Sequence, residues 1–186
     1  MSFVIETKKK IYKLFPTQEP ITAMVTGVKL QPNCETLYGK KTKVFIKITS
    51  NLKDDDGDSM SSLFSATASM GEKANLRRFC KQILGYDPGD VYNVTKLLGL
   101  TRDFIFETNK ASDGRQFSNI SGVLKASGTV TLAKDFRAFN TENLSEGEQV
   151  ANYDPNDSTA AAAPARKRQV AVPVVEEPTE SLVEQI

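Results

Sequence analysis

The chain has 186 residues, of which 39% are hydrophobic; 24 are Lys or Arg, 23 are Asp or Glu, and none is histidine. The missing histidine removes Ser-His and Cys-His nucleophile pairs, the His-Glu-x-x-His metalloprotease site and every His-containing zinc site. The near-neutral total hides an asymmetry: residues 1–140 hold 21 basic and 14 acidic side chains, residues 141–186 hold 3 and 9, a basic body followed by an acidic tail.

This length suits one domain with an accessory segment, and the modest hydrophobic content places part of the chain outside a core. Cys34 and Cys80 have neither CxxC nor metal-type spacing, which points to a reduced, cytoplasmic protein. The opening MSFVIETKKKIYKLF lacks the apolar region of a signal peptide, and no apolar run is long enough for a bilayer. A soluble protein without a membrane role is therefore expected.

In chain order, Lys8, Lys9, Lys10 and Lys13 beside Tyr12, Leu14 and Phe15 read as a basic arm or edge element. Residues 21–30, ITAMVTGVKL, are strand-like, with Gly27 inside as the mark of a bulge or barrel corner. A polar turn is expected over 31–37. Residues 38–50, YGKKTKVFIKITS, then place Val44, Ile46 and Ile48 on one face and Lys41, Lys43, Phe45 and Lys47 on the other. Lysines beside an aromatic ring on one strand face are the ingredients for following a phosphate backbone while stacking on bases.

The acidic stretch 51–62, NLKDDDGDSMSS, fails the calcium-loop pattern and is expected to be a hairpin loop before a short strand at 63–68. Ser69 and Glu72 have capping-box spacing ahead of a helix with the apolar stripe Leu76, Phe79, Cys80, Ile83 and Leu84, stopped by Gly85. Arg77, Arg78 and Lys81 lie off that stripe. After Pro88-Gly89, Asp90 is positioned to cap a second short helix with Val91, Val94, Leu97 and Leu98 on its apolar face.

Residues 101–124 alternate through Arg102, Phe104 and Phe106, turn at Asp113-Gly114, and resume alternation through Ser118, Ile120, Gly122 and Leu124, as a β-hairpin does. Residues 128–133, GTVTLA, are expected to be the last strand. From about residue 141 periodicity ends, and the segment reads as a disordered acidic tail with a possible docking peptide at its end.

The expectation is thus a mainly β (α+β) protein. Residues 1–140 form a small OB-like β-barrel, of the oligonucleotide-binding type, with one or two short inserted helices, and residues 141–186 the tail. Its core would contain Val25, Val44, Ile46, Ile48, Leu63, Phe79, Leu97, Phe104, Phe106, Ile120 and Leu124.

Within 72–124, Lys73-x-x-Leu76-Arg77-x-Phe79, Leu97-Leu98-Gly99 and Phe117-x-Asn119-Ile120 resemble a loosely defined group of phage- and plasmid-borne proteins. Some of these are taken to be OB-like single-stranded DNA-binding proteins. The chain departs from the group at Leu100-Thr101, where a basic residue is common. Its basic body and acidic tail also resemble the layout of bacterial and phage single-stranded DNA-binding proteins, in which the tail recruits partners and competes with DNA. The terminus here lacks the usual Asp-rich, Phe-ended tip.

The function expected is non-enzymatic binding of single-stranded DNA, or RNA, in phage-like DNA replication or recombination, in the host cytoplasm if phage-encoded. Lys40, Lys41, Lys43, Lys47, Arg102 and Arg115 would neutralise phosphates, while Tyr38, Phe45 and Phe117 stack bases. No cofactor or metal is expected; replication or recombination proteins would bind the tail, and an oligomer is possible. The alternative is a phage structural or adaptor protein binding other proteins through sheet and tail. A third reading gathers Asp103, Glu107 and Asp113 around a metal.

Overall fold

In the computed structural model, which describes residues 13–133 and 136–156, the sheet is built on the long strand β1 (Pro20–Thr36). β2 (Gly39–Lys53) pairs along one edge of it, and β3 (Ser59–Thr67) pairs with β2. The other edge of β1 is shared by β4 (Thr101–Lys110) at residues 20–24 and β6 (Gln149–Asn152) at residues 27–30. β5 (Gln116–Lys125) completes the β4 hairpin. The fold is mainly β: an open antiparallel sheet of six strands in the order β3-β2-β1-β4-β5, with β6 beside β1. No helix among the described residues is long and apolar enough to cross a membrane.

The bulge expected at Gly27 is present. Val25 pairs with Ile48 and Gly27 with Lys47, leaving Thr26 as the extra residue. Its backbone carbonyl accepts from Tyr153 N at 2.8 Å, and its hydroxyl meets Thr49 Oγ1 at 2.8 Å, so its carbonyl and hydroxyl keep partners where the ladder is interrupted. The stretch 31–37 is not simply a turn. β1 and β2 continue through it, with a second register shift between Gln31 and Cys34, to a tight turn at Leu37-Tyr38.

One face of the sheet carries the core. Val44, Ile46, Ile48, Val25, Val28, Phe104 and Phe106 are buried there against α1 (Asn75–Leu84), which contributes Leu76, Phe79, Cys80 and Ile83. Phe64 stacks on Phe79 with centroids 3.8 Å apart, and Phe15 on Phe106 at 4.1 Å. Residues 13–19 run from the β2–β3 turn, where Lys13 meets Asp55, to β4, where Gln18 N bonds the Phe106 carbonyl. β3 and β5 approach each other, and Ser62 Oγ reaches the Ser118 carbonyl at 3.5 Å.

Two expected core residues are on the surface instead. Leu63 is 53% exposed because it pairs with Lys47 on the outer face, while its neighbour Phe64 turns inward. Leu124 is 49% exposed because β5 has a bulge: Ile105 pairs with Gly122 but Phe106 with Ile120, so Ser121 is extra. One added residue reverses the alternation beyond it, and Val123 takes the inward position.

The helix caps also differ from expectation. Ala74 precedes α1 with no side-chain cap bond, and Ser69 Oγ accepts instead from Gly71 N. Gly85 does end the helix, at φ 78° with its N–H on the Lys81 carbonyl. The second helix shrinks to a 3-10 turn over Val94–Leu97, capped by Asn93 and not Asp90, and Val91 is exposed. Asp90 instead joins Asp87 in holding the Arg77 guanidinium.

Residues 128–133 form no strand. Residues 126–133 and 136–140 lie on the outer face as a strap. The Asn51 side chain donates to the Thr129 carbonyl at 2.8 Å and accepts from Thr131 N at 2.9 Å, doing for this segment what a neighbouring strand would. Segment 141–156, expected to belong to a disordered tail, contains β6 and is tied to β1. The remainder of the expected tail, 157–186, and most of the expected basic arm lie outside the described residues.

Candidate functional site

The outer face of β2 is where the alternation of 38–50 leads. Val44, Ile46 and Ile48 are buried inward, and Lys43, Phe45 and Lys47 are half-buried on the other side, continuing to exposed Lys41. Register extends this stripe sideways: Phe45 pairs with Lys29 on β1 and Ser65 on β3, and Lys47 with Gly27 and Leu63.

The strap divides the stripe into two unlike halves. At one end Lys47 donates to the Ala138 carbonyl at 2.9 Å and lies 5.9 Å from the Phe139 ring centroid, and burial pulls its pKa below the ordinary lysine value. Asn152 latches the strap there, accepting from Phe139 N at 2.8 Å and donating to the Phe139 carbonyl at 2.9 Å. Lys29 is paired with Glu148 at 2.8 Å, which together with a backbone bond from Ser145 holds the Glu148 carboxyl below its usual range.

At the other end, Lys40, Lys41 and Lys43 have no carboxylate partner among the described residues. Lys41 Nζ sits 5.5 Å from the Tyr38 ring centroid. Tyr38 itself is 83% exposed at the hairpin tip.

The three remaining candidates lie on the β4–β5 hairpin. Arg102 shares the helix-covered face with Phe104: its Nε donates to the Ile83 carbonyl at 2.6 Å and its guanidinium also reaches the Thr101 carbonyl at 2.8 Å. It joins the sheet to the end of α1 and stands apart from the stripe. Arg115 is exposed in the turn and paired with Asp113. Because β4 meets β1 at residues 20–24, this turn lies at the end of β1 opposite the Tyr38 tip. Phe117 is 43% exposed. The approach of β3 to β5, through Ser62 and Ser118, brings it toward the Leu63 side of the stripe.

The structure thus groups Tyr38, Lys40, Lys41, Lys43 and Phe45, sets Lys47 beneath the strap, and separates Arg102 and Arg115 from them. Sequence reasoning missed Leu37 and Leu63, both apolar and exposed beside the basic residues. Strict alternation in LFSATA, with Phe64 and Ala66 inward, was the available signal for Leu63.

The carboxylates Asp103, Glu107 and Asp113 do not converge. Asp103 is buried beneath the strap, accepting from Thr22 Oγ1 at 2.6 Å and Ser127 N at 3.0 Å. Asp113 serves the hairpin turn. Among the described residues, no group of three or more metal-ligating side chains comes together.

Comparison with family models, curated proteins and solved structures finds no match to this chain.

Proposed function

We propose that the protein binds single-stranded nucleic acid, DNA in the first instance, without catalysing a reaction, and that its sheet is an OB-like barrel left partly open. The observation that carries this reading is the half-stripe Lys41, Lys43 and Phe45 on the outer face of β2, with Tyr38 and Lys40 at its tip. Ammonium groups without carboxylate partners, next to the exposed Tyr38 ring and the half-buried Phe45 ring, suit a strand whose phosphates need charge and whose bases need flat apolar partners. Topology supports the barrel: five of the six strands in the order β3-β2-β1-β4-β5, a helix between the third and fourth, and edges β3 and β5 near one another. In folds of that type, the face of strands 2 and 3 and the loops joining strands 1–2 and 4–5 take oligonucleotides. On this reading the half-stripe, Tyr38 and Arg115 would correspond to those places.

Phage-like replication or recombination is the proposed setting, with the acidic segment recruiting proteins of that machinery. Fluorescence anisotropy of a labelled oligo-dT, titrated with the full chain across a range of salt, tests the reading. Three lysine–phosphate contacts would make log K fall against log salt with a slope of roughly −2. Salt-independent binding, or none, would overturn it. A structural or adaptor role is favoured by exposed Leu63 and Leu124; stable self-association with indifference to oligonucleotides would select that role.

A further inference from the structure

The half-stripe ends in an arm. Beyond the last pairs to β6 (Leu30 with Gln149) and to β3 (Lys43 with Thr67), β1 and β2 continue as a two-stranded ribbon. Its six β1 residues, 31–36, give it a reach of about 15–20 Å. The turn is firmly built. Thr36 Oγ1 donates to the Gly39 carbonyl at 2.6 Å and accepts from Tyr38 N at 3.2 Å, and Gly39 takes φ 90°. None of that requires apolar side chains at the two central positions, where polar residues are usual. Yet Leu37 is 98% exposed beside Tyr38, and Lys41 supports the Tyr38 ring from one side. Glu35, the ribbon's one carboxylate, pairs in register with Lys40, whereas Lys41 and Lys43 pair with Cys34 and Gln31.

Resting on the reading of the half-stripe as a single-strand track, we propose that this ribbon recognises the junction between single- and double-stranded nucleic acid. Leu37 is the wedge against the last base pair and Tyr38 the platform for the first unpaired base. Charge complementarity selects this occupant: the ribbon is basic where the backbone would pass and apolar only at its tip. A two-stranded β-ribbon fits a major groove, and leucine is among the side chains that proteins insert between base steps. The half-stripe behind the tip would receive the strand that leaves the duplex.

The test uses the full chain and three labelled probes: an oligo-dT, a duplex with a 3′ or 5′ dT tail, and a blunt duplex. In the tailed duplex, 2-aminopurine replaces the adenine of the last base pair, the one the wedge would unstack. Wild-type protein is expected to bind the tailed duplex about tenfold more tightly than the oligo-dT, consistent with one extra stacked or wedged base, and to raise 2-aminopurine fluorescence. Leu37→Ser should bring the ratio near one and abolish the fluorescence rise, while Leu37→Met retains both. Melting temperatures check that each variant folds. Equal affinities for tailed duplex and oligo-dT, or a ratio untouched by Leu37→Ser, overturn the wedge and leave single-strand binding standing. Failure to bind any probe, including the case where the tip joins a second copy instead, overturns both.

Discussion

Phe139 packs where Gly27 would carry a β-carbon: an atom there would stand 2.7 Å from Phe139 Cδ2 and 2.5 Å from Ala138 Cβ. The bulge glycine of β1 is therefore also the seat of the strap. Gly27→Ala is expected to lower stability by about 1–3 kcal/mol, as overpacking does, and differential scanning calorimetry would register it as a melting temperature lower by several degrees. Pairing it with Phe139→Ala should recover little, because the closer clash is with Ala138.

Asp103 gives the fold an acid limit. Burial opposes its charge, but the bonds from Ser127 and Thr22 outweigh that, and its pKa lies below the ordinary carboxylate value. A depressed folded pKa contributes stability above the unfolded pKa, about 3.9, and loses it as pH falls through the folded value. Asp103→Asn is expected to cost about 1–3 kcal/mol at pH 7. That difference should shrink as the pH is lowered beneath the unfolded value, as urea titrations at pH 7 and at acid pH would show.

Arg102 is expected to matter for stability and not for binding. Its fork satisfies the carbonyls of Ile83 and Thr101, a geometry that a single ammonium does not reproduce. Arg102→Lys should lower the urea midpoint by an amount corresponding to about 1–3 kcal/mol while leaving the salt slope of oligo-dT binding unchanged.

Lys43 and Lys47 share a strand face but should behave differently. Lys43→Met is expected to reduce the magnitude of the salt slope by roughly 0.7, the loss of one single-strand phosphate contact. Lys47→Met should leave the slope intact, since its ammonium already serves the Ala138 carbonyl. Anisotropy titrations at four salt concentrations separate the two.

The cysteines give a quick check on packing. Burial pushes the Cys80 thiol up to about 11, so a thiol reagent at pH 8 should modify only the half-buried Cys34 in the folded protein. Cys80 should react once the protein is unfolded in urea.

The parts of this fold that could be read from sequence were those with local physical causes. Alternation placed Val44, Ile46 and Ile48 opposite Lys43, Phe45 and Lys47, and Gly85 and Gly114 stood where positive φ was needed. Long-range choices were not legible. Nothing in 128–133 says that its backbone will bond to the Asn51 side chain in place of a neighbouring strand. The four residues of β6 are too few to show a period. Unbroken alternation puts Leu124 on the core face, and Gly122, next to the bulge at Ser121, is the local sign that the alternation breaks there. The candidate site was legible as a stripe of residue types. Its division by the strap was not, because that depends on where residues 136–139 come to rest.

The pairing of Gly27 with Asn152 bears on how the chain acquires its shape. These two residues are separated by about 125 positions, whereas the β1–β2 and β4–β5 hairpins form from near neighbours. Contacts of such high sequence separation are slow to form, since a long loop must close before they contribute. On the ribosome, the five-stranded sheet would emerge with its outer face bare, and Lys47 would remain exposed until residues 138–152 had been synthesised. Refolding from urea should accordingly show a fast phase for the hairpins and a slower one for docking of the strap. A chain ending at residue 140 should keep the first phase and lose the second.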